Sequence, residues 1–190
     1  MILQIHRDTL KPGAEAAYNA IEEDAARACR GLNGPHPHLA IEALTGLKEV
    51  WWLNEFESNA DMQRVHDAYA SNGPLMAALG DVGKRRQDVI ASEVDVFARD
   101  RSDLSRGATW RVKGARFFVV LVTDHDSTME GVVFETADGM RYIFNAARTR
   151  DAADAIAARS EPHAAIFAVR PNWGMPAREW IDADAAFWTR

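Results

Sequence analysis

Apolar and polar positions along this chain alternate with two periods, and the changes of period mark its elements. Leu3 and Ile5 set against Gln4 and His6 predict a short strand from Ile2 to Arg7. Lys11-Pro12-Gly13 then opens a helix, with proline in the first turn where its missing N–H costs nothing. The helix runs to about Leu32. Ala14, Ala17, Tyr18, Ile21, Ala25, Ala28, Cys29 and Leu32 form its apolar stripe, and Glu15, Asn19, Glu22, Glu23, Arg27 and Arg30 form its polar face. Gly31 to Pro37 is a break. His38 to Leu44 and Glu49 to Phe56 read as two strands of an antiparallel hairpin turning at Thr45-Gly46. Ser58 stands where an N-cap is wanted, and Met62, Val65, His66 and Tyr69 mark the inner stripe of a second helix. Ser71-Asn72-Gly73-Pro74 interrupts it before a further helical piece carrying Leu75, Met76, Leu79 and Val82, and Glu93 to Ala98 closes the unit as a strand. The predicted order is βαββαβ.

The second half repeats this order with one loss. Arg116 to Thr123 is an apolar strand, but only the polar loop Asp124 to Glu130 separates it from a hairpin spanning Gly131 to Ala147 with its turn at Asp138-Gly139. Asp151 to Ser160 is a short helix and Ala164 to Arg170 a closing strand, which gives βββαβ. Trp51-Trp52-Leu53-Asn54 with Ser58 recurs as Tyr142-Ile143-Phe144-Asn145 with Thr149 at one interval of 91 residues (145 − 54 = 149 − 58 = 91). A repeat spanning half the chain predicts two supersecondary units that complete one core together. Trp180, Ile181, Ala185 and Trp188 share one helical face near the C-terminus. This face reads as a patch over the sheet surface left bare by the lost helix, or as a dimerisation arm.

Composition narrows the function classes without choosing one. The chain has 190 residues, 47% hydrophobic and 26% charged, with a net charge of −6. Its only local basic run, Lys84-Arg85-Arg86, makes no nucleic-acid face. Cys29 is the single cysteine, which excludes an intramolecular disulfide and a thiolate metal cage. No window is long and apolar enough for a membrane span, and a cytoplasmic location is expected.

Candidate chemistry is scattered. His6 points away from the core that Leu3 and Ile5 fill, as a surface strand histidine or as a general base near neutral pH. His66, on an apolar stripe, reads first as a partly buried core histidine and second as a base or ligand-orienting group. Glu55 shares a strand face with Leu53 and Trp51, so its carboxyl is raised if desolvated and could serve as an acid or base; the plainer reading is a solvated strand end. Asn54 and Asn145 recur at equivalent places, which favours a turn-bonding role. His36-Pro37-His38 lacks a third ligand and Asp124-His125-Asp126 reads as a polar turn, so no metal site is expected. The paired tryptophans read as core before ligand platform.

The Pro-Gly-opened helix, the aromatic strand Val50-Trp51-Trp52-Leu53-Asn54-Glu55-Phe56, the Ser58 cap and the Gly73-Pro74 break together resemble the dimeric α/β-barrel superfamily, nearest its antibiotic-biosynthesis-monooxygenase-like and NIPSNAP-like branches. The resemblance implies an α+β chain whose two ferredoxin-like halves join their antiparallel sheets as one barrel. The implied divisions are 1–99 for the first half, 100–113 for a linker, 114–172 for a degenerate second half and 173–190 for a C-terminal aromatic helix. It further implies a ligand site between sheet and helices, built from Gln4 and His6, from Trp51, Trp52, Asn54 and Glu55, and from His66 and Tyr69. The haem-degrading branch places an Asn on the first strand and a Trp and a His on the second helix, a pattern that Gln4, His6, Val65 and His66 do not reproduce. Two functions stand open. One is a cofactor-independent monooxygenase or isomerase acting on a planar, acidic small molecule, with His6, His66 or Glu55 moving the proton. The other is a non-catalytic ligand-binding or assembly domain. No cofactor is expected, and a monomer and a homodimer are both compatible with a fused barrel.

Overall fold

The computed structural model describes residues 1–107 and 112–188, so residues 108–111 of the expected linker and 189–190 at the C-terminus lie outside the described residues. The first half contains β1 (Ile2–Leu10), α1 (Glu15–Gly31), β2 (Leu39–Ala43), β3 (Glu49–Phe56), α2 (Asn59–Ser71), α3 (Gly73–Gln87) and β4 (Ile90–Asp100). The second contains β5 (Phe117–Thr123), β6 (Val132–Thr136), β7 (Arg141–Ala147), α4 (Arg150–Ala157) and β8 (Ala165–Val169), followed by α5 (Arg178–Ala183) and α6 (Ala185–Trp188). The sheet of the first half is ordered β2-β3-β1-β4 and that of the second β6-β7-β5-β8, so the two halves share one strand order. Antiparallel pairing of β2 with β8 and of β4 with β6 closes the eight strands into a barrel. Each half therefore supplies the edge partners that the other lacks, which removes most of the open edge.

The period of two decides what lies inside. Leu3, Ile5, Trp51, Leu53, Phe118, Phe134, Phe144 and Phe167 all belong to the interior cluster, and the Trp51 ring lies 4.7 Å from that of Phe167. An ion pair borders this interior at the barrel mouth. The Arg7 Nη2 donates to both Glu49 oxygens at 2.9 and 3.1 Å, and the Trp51 indole N–H donates to Glu49 Oε2 at 2.8 Å.

The recurring caps form as the sequence predicts. Ser58 Oγ accepts from the Asp61 N–H and Thr149 Oγ1 from the Ala152 N–H, both at 3.2 Å. The Asn72 side chain caps α3 by accepting from the Leu75 N–H at 3.3 Å, which makes the predicted interruption a helix restart.

The C-terminal segment departs from expectation. It forms two short helices separated by Asp184, and it packs against the interior cluster, with Trp188 buried and Trp180, Ile181 and Phe187 half-buried beside it. Arg116, just before β5, pairs with Asp184 and lies 3.6 Å beneath the Phe187 ring. The segment thus closes an end of the barrel. The outer face of the second sheet is covered instead by Ala153 and Ile156 of α4, together with Leu104 and Met129.

Candidate active site

On the first half, α1, α2 and α3 stand over the outer face of β1 and β3 and leave a cleft of about 380 Å³ between. Alternation along β1 sends Gln4, His6 and Asp8 to this outer face while Leu3 and Ile5 go inward. The register sets His6 between Trp52 of β3 and Asp95 of β4, and Asp8 between Val50 and Glu93. Trp52, Asn54 and Phe56 complete the floor. Glu22, Cys29, Val65, Tyr69 and Arg86 form the roof, and His36, His38 and Trp173 close one side.

His6 is the centre of a charged array. Its Nδ1 lies 3.1 Å from Asp95 Oδ1, which also accepts from the Gln4 amide at 3.3 Å, and its Nε2 lies 3.1 Å from Asp8 Oδ1. Asp8 is fully buried, and its other oxygen accepts a 2.6 Å hydrogen bond from the Tyr18 hydroxyl. That hydroxyl accepts in turn from the Trp52 indole N–H at 3.2 Å. The Asp8 carboxylate, opposed by burial and assisted by Asp95, raises the His6 imidazole above its ordinary value. Burial alone would push Asp8 up, but His6 and Tyr18 outweigh it and hold the carboxyl below the usual range. Each member of the pair thus favours the charged form of the other.

A second pair braces the roof. Arg86 donates from Nε and Nη2 to the two oxygens of Glu22 at 2.7 and 2.8 Å, and its guanidinium lies 5.9 Å from the Trp52 ring centre. Glu22 is fully buried, which corrects its expected place on the polar face of α1; burial raises its carboxyl despite Arg86. Burial also pushes His38 down to about 4, so it lines the cleft as a neutral ring, and pushes the Tyr69 phenol up to about 12.

The structure brings six of the eight expected residues, Gln4, His6, Trp52, Asn54, His66 and Tyr69, to this one cleft. His66 is exposed at its rim with its ring 6.2 Å from Phe56, not on a buried stripe, because the inward positions of α2 are Met62, Val65 and Tyr69. Trp51 and Glu55 point the other way, on the inward-facing register of β3 with Leu53. Trp51 instead borders a separate cavity of about 530 Å³ at the barrel mouth, with Arg7 and Glu49. Neither residue reaches the cleft. The contributions of Asp8, Tyr18, Glu22, Arg86, Asp95 and Trp173 were not legible as site residues.

Burial raises the Glu55 carboxyl to about 7 from an ordinary 4.5. The folded state then holds this proton more tightly than the unfolded chain, so stability is lost as pH rises from about 4.5 through 7. Glu55→Gln is expected to stabilise the protein by about 1–2 kcal/mol at pH 8, a gain held down by the carboxyl's remaining contact with solvent, and by nearly nothing at pH 4. Urea unfolding at the two pH values checks this; an equal gain at both refutes a titrating Glu55.

No family model matches the chain, and no curated protein matches it in sequence. Solved structures match in fold. A Fusobacterium nucleatum protein provisionally named a monooxygenase superposes with a TM-score of 0.54 at 11% identity, over 88% of this chain and 91% of its own. The fold is of the dimeric α/β-barrel type. An anthrone oxidase-like protein (TM-score 0.49, 11% identity, 89% of this chain and 91% of that one) and a NIPSNAP domain protein from Burkholderia xenovorans (0.44, 13%, 54% and 96%) are also similar. In this dimeric α/β barrel both halves belong to one polypeptide, and the three helices over the first sheet are what create the cleft. Among the described residues no helix is long and apolar enough to cross a membrane.

Proposed function

We propose that the cleft binds a small, planar, weakly acidic organic molecule and that the Asp95–His6–Asp8 array takes a proton from it, as the first step of a cofactor-independent oxygenation or isomerisation. The observation that carries this reading is His6, held between two carboxylates, one of them buried and itself fixed by Tyr18, on the floor of an open cleft. An imidazole acts as a base when its proton affinity is near the working pH, and here the flanking carboxylates stabilise the imidazolium that forms. Trp52, Phe56 and Tyr69 offer flat apolar surface for a ring system, and Asn54 and Gln4 offer amide groups to a carbonyl or hydroxyl. Asp8, which touches His6 and not the open space, is a positioning residue.

The experiment uses a hydroxylated anthrone, which is planar and yields a delocalised anion on loss of a C–H proton. The ketone forms with consumption of one O2 and release of one water for each CH2 oxidised. Quenching of tryptophan fluorescence reports binding and an oxygen electrode reports turnover. Saturable quenching with enzyme-dependent oxygen uptake supports the reading; quenching with no uptake and no isomerised product leaves a binding protein, and no quenching sinks the assignment of the cleft to this ligand class.

A further inference from the structure

Two atoms in the array remain without a hydrogen bond although both are buried: His6 Nε2 and Asp8 Oδ1. They lie 3.1 Å apart, yet no aligned N–H···O hydrogen bond joins them. This is the arrangement of two donors on a third body. Ligands 2.0–2.2 Å from one ion and roughly 90–110° apart lie about 2.8–3.6 Å from each other, and the ion, not the second ligand, lies on the ring nitrogen's axis. A third donor is at hand, since His6, Asp8 and Glu93 each offer one ligand atom within 4.8 Å of the other two.

We propose that His6, Asp8 and Glu93 form a binding site for a divalent transition-metal ion of the Zn²⁺ or Co²⁺ kind. The outer contacts fit those of metal ligands. His6 turns its other nitrogen to Asp95, which fixes the tautomer with the lone pair on Nε2, and Asp8 has its second oxygen bound by Tyr18. Glu93 accepts from the Gln87 amide at 3.2 Å and stands in solvent, where it can swing inward. Charge favours a cation as well. Asp8 and Glu93 are directly opposed across β1 and β4, an unfavourable pairing of like charges, and Asp95 and Glu22 add two more carboxylates. Arg86 also faces them, engaged with Glu22 and 3.8 Å from Asp8. The ion displaces the Nε2 proton, so its affinity falls about tenfold for each pH unit below the His6 pKa, and it competes with the proton transfer proposed above.

Glu93 has no part in that transfer, which lets the two ideas fail separately. The test is calorimetric titration of the untagged protein with Zn²⁺ at pH 8, repeated with Co²⁺ by visible absorption. One site is expected in the wild type, with at least tenfold weaker binding in Glu93→Gln and in Asp8→Asn, and with d–d bands of low-coordinate cobalt that both substitutions abolish. A His125→Ala control, which dismantles the surface cluster with Asp124 and Glu161, is expected to leave this site intact. Absence of binding at pH 8, equal affinity in Glu93→Gln, or loss of the site in His125→Ala overturns the proposal.

Discussion

Replacing His6 by alanine is expected to lower turnover by about 10²–10⁴, the usual contribution of a positioned general base, while ligand affinity changes only a few-fold. The side chain is one of many that line the cleft, and Trp52, Phe56, Val65, Tyr69, Leu79 and Trp173 all remain to hold a ligand. The pH dependence gives a sharper reading. His6 is raised above its ordinary 6.5, so activity should rise with pH and level off on the alkaline side of neutrality, because only the neutral ring accepts a proton. Asp95→Asn removes one of the two groups that raise it and should move this limb to lower pH with a smaller loss of kcat. A purely structural Asp95 has no reason to shift the profile. Steady-state oxygen uptake between pH 5.5 and 9 decides the matter; a His6→Ala variant within threefold of wild type, or a flat profile, removes His6 from the chemistry.

Local pattern was enough for the elements of each half and for the direction β1 faces, while the barrel was what the family resemblance implied. The alternation of Leu3 and Ile5 with Gln4 and His6 orients β1 correctly because one face of the strand is sealed in the interior. The same rule, applied to β3, separates Trp52 and Asn54 from Trp51 and Glu55; the family resemblance pointed to the whole strand and so took in two residues that face away from the cleft. β1 also continues to Leu10, past the predicted end at Arg7, since Asp8 and Thr9 are polar and carry no alternation signal. Asp8 was lost by that margin. The remaining site residues depend on pairings across long stretches of chain. Asp95 meets His6 over 89 positions and Arg86 meets Glu22 over 64, and no periodicity in either segment announces the partner. At the C-terminus, Trp180 and Trp188 do share a cluster, but through a break at Asp184 where that residue turns to Arg116.

Arg86→Met is expected to cost about 3–5 kcal/mol, the penalty for stranding a buried charge, which corresponds to a fall in Tm of roughly 6–20 °C. Glu22 has no exposed surface and receives both of its strong hydrogen bonds from this arginine. Its carboxyl is already raised by burial with Arg86 in place, so without it the proton is held more tightly still. The linkage gives the sign: a raised carboxyl lowers stability as pH climbs above about 4.5, so the penalty should be smaller at pH 5 than at pH 8. Glu22→Gln in the same chain removes the charge that was stranded. The double variant should therefore recover at least half of the loss at pH 8, although the single substitutions each remove a partner from the same pair. Thermal and urea unfolding of the four proteins at both pH values complete the cycle. If the double variant is no more stable than Arg86→Met, the pair contributes through the packing of Arg86 over Trp52 and not through its charge, and the link between α1 and α3 over the cleft is one of shape.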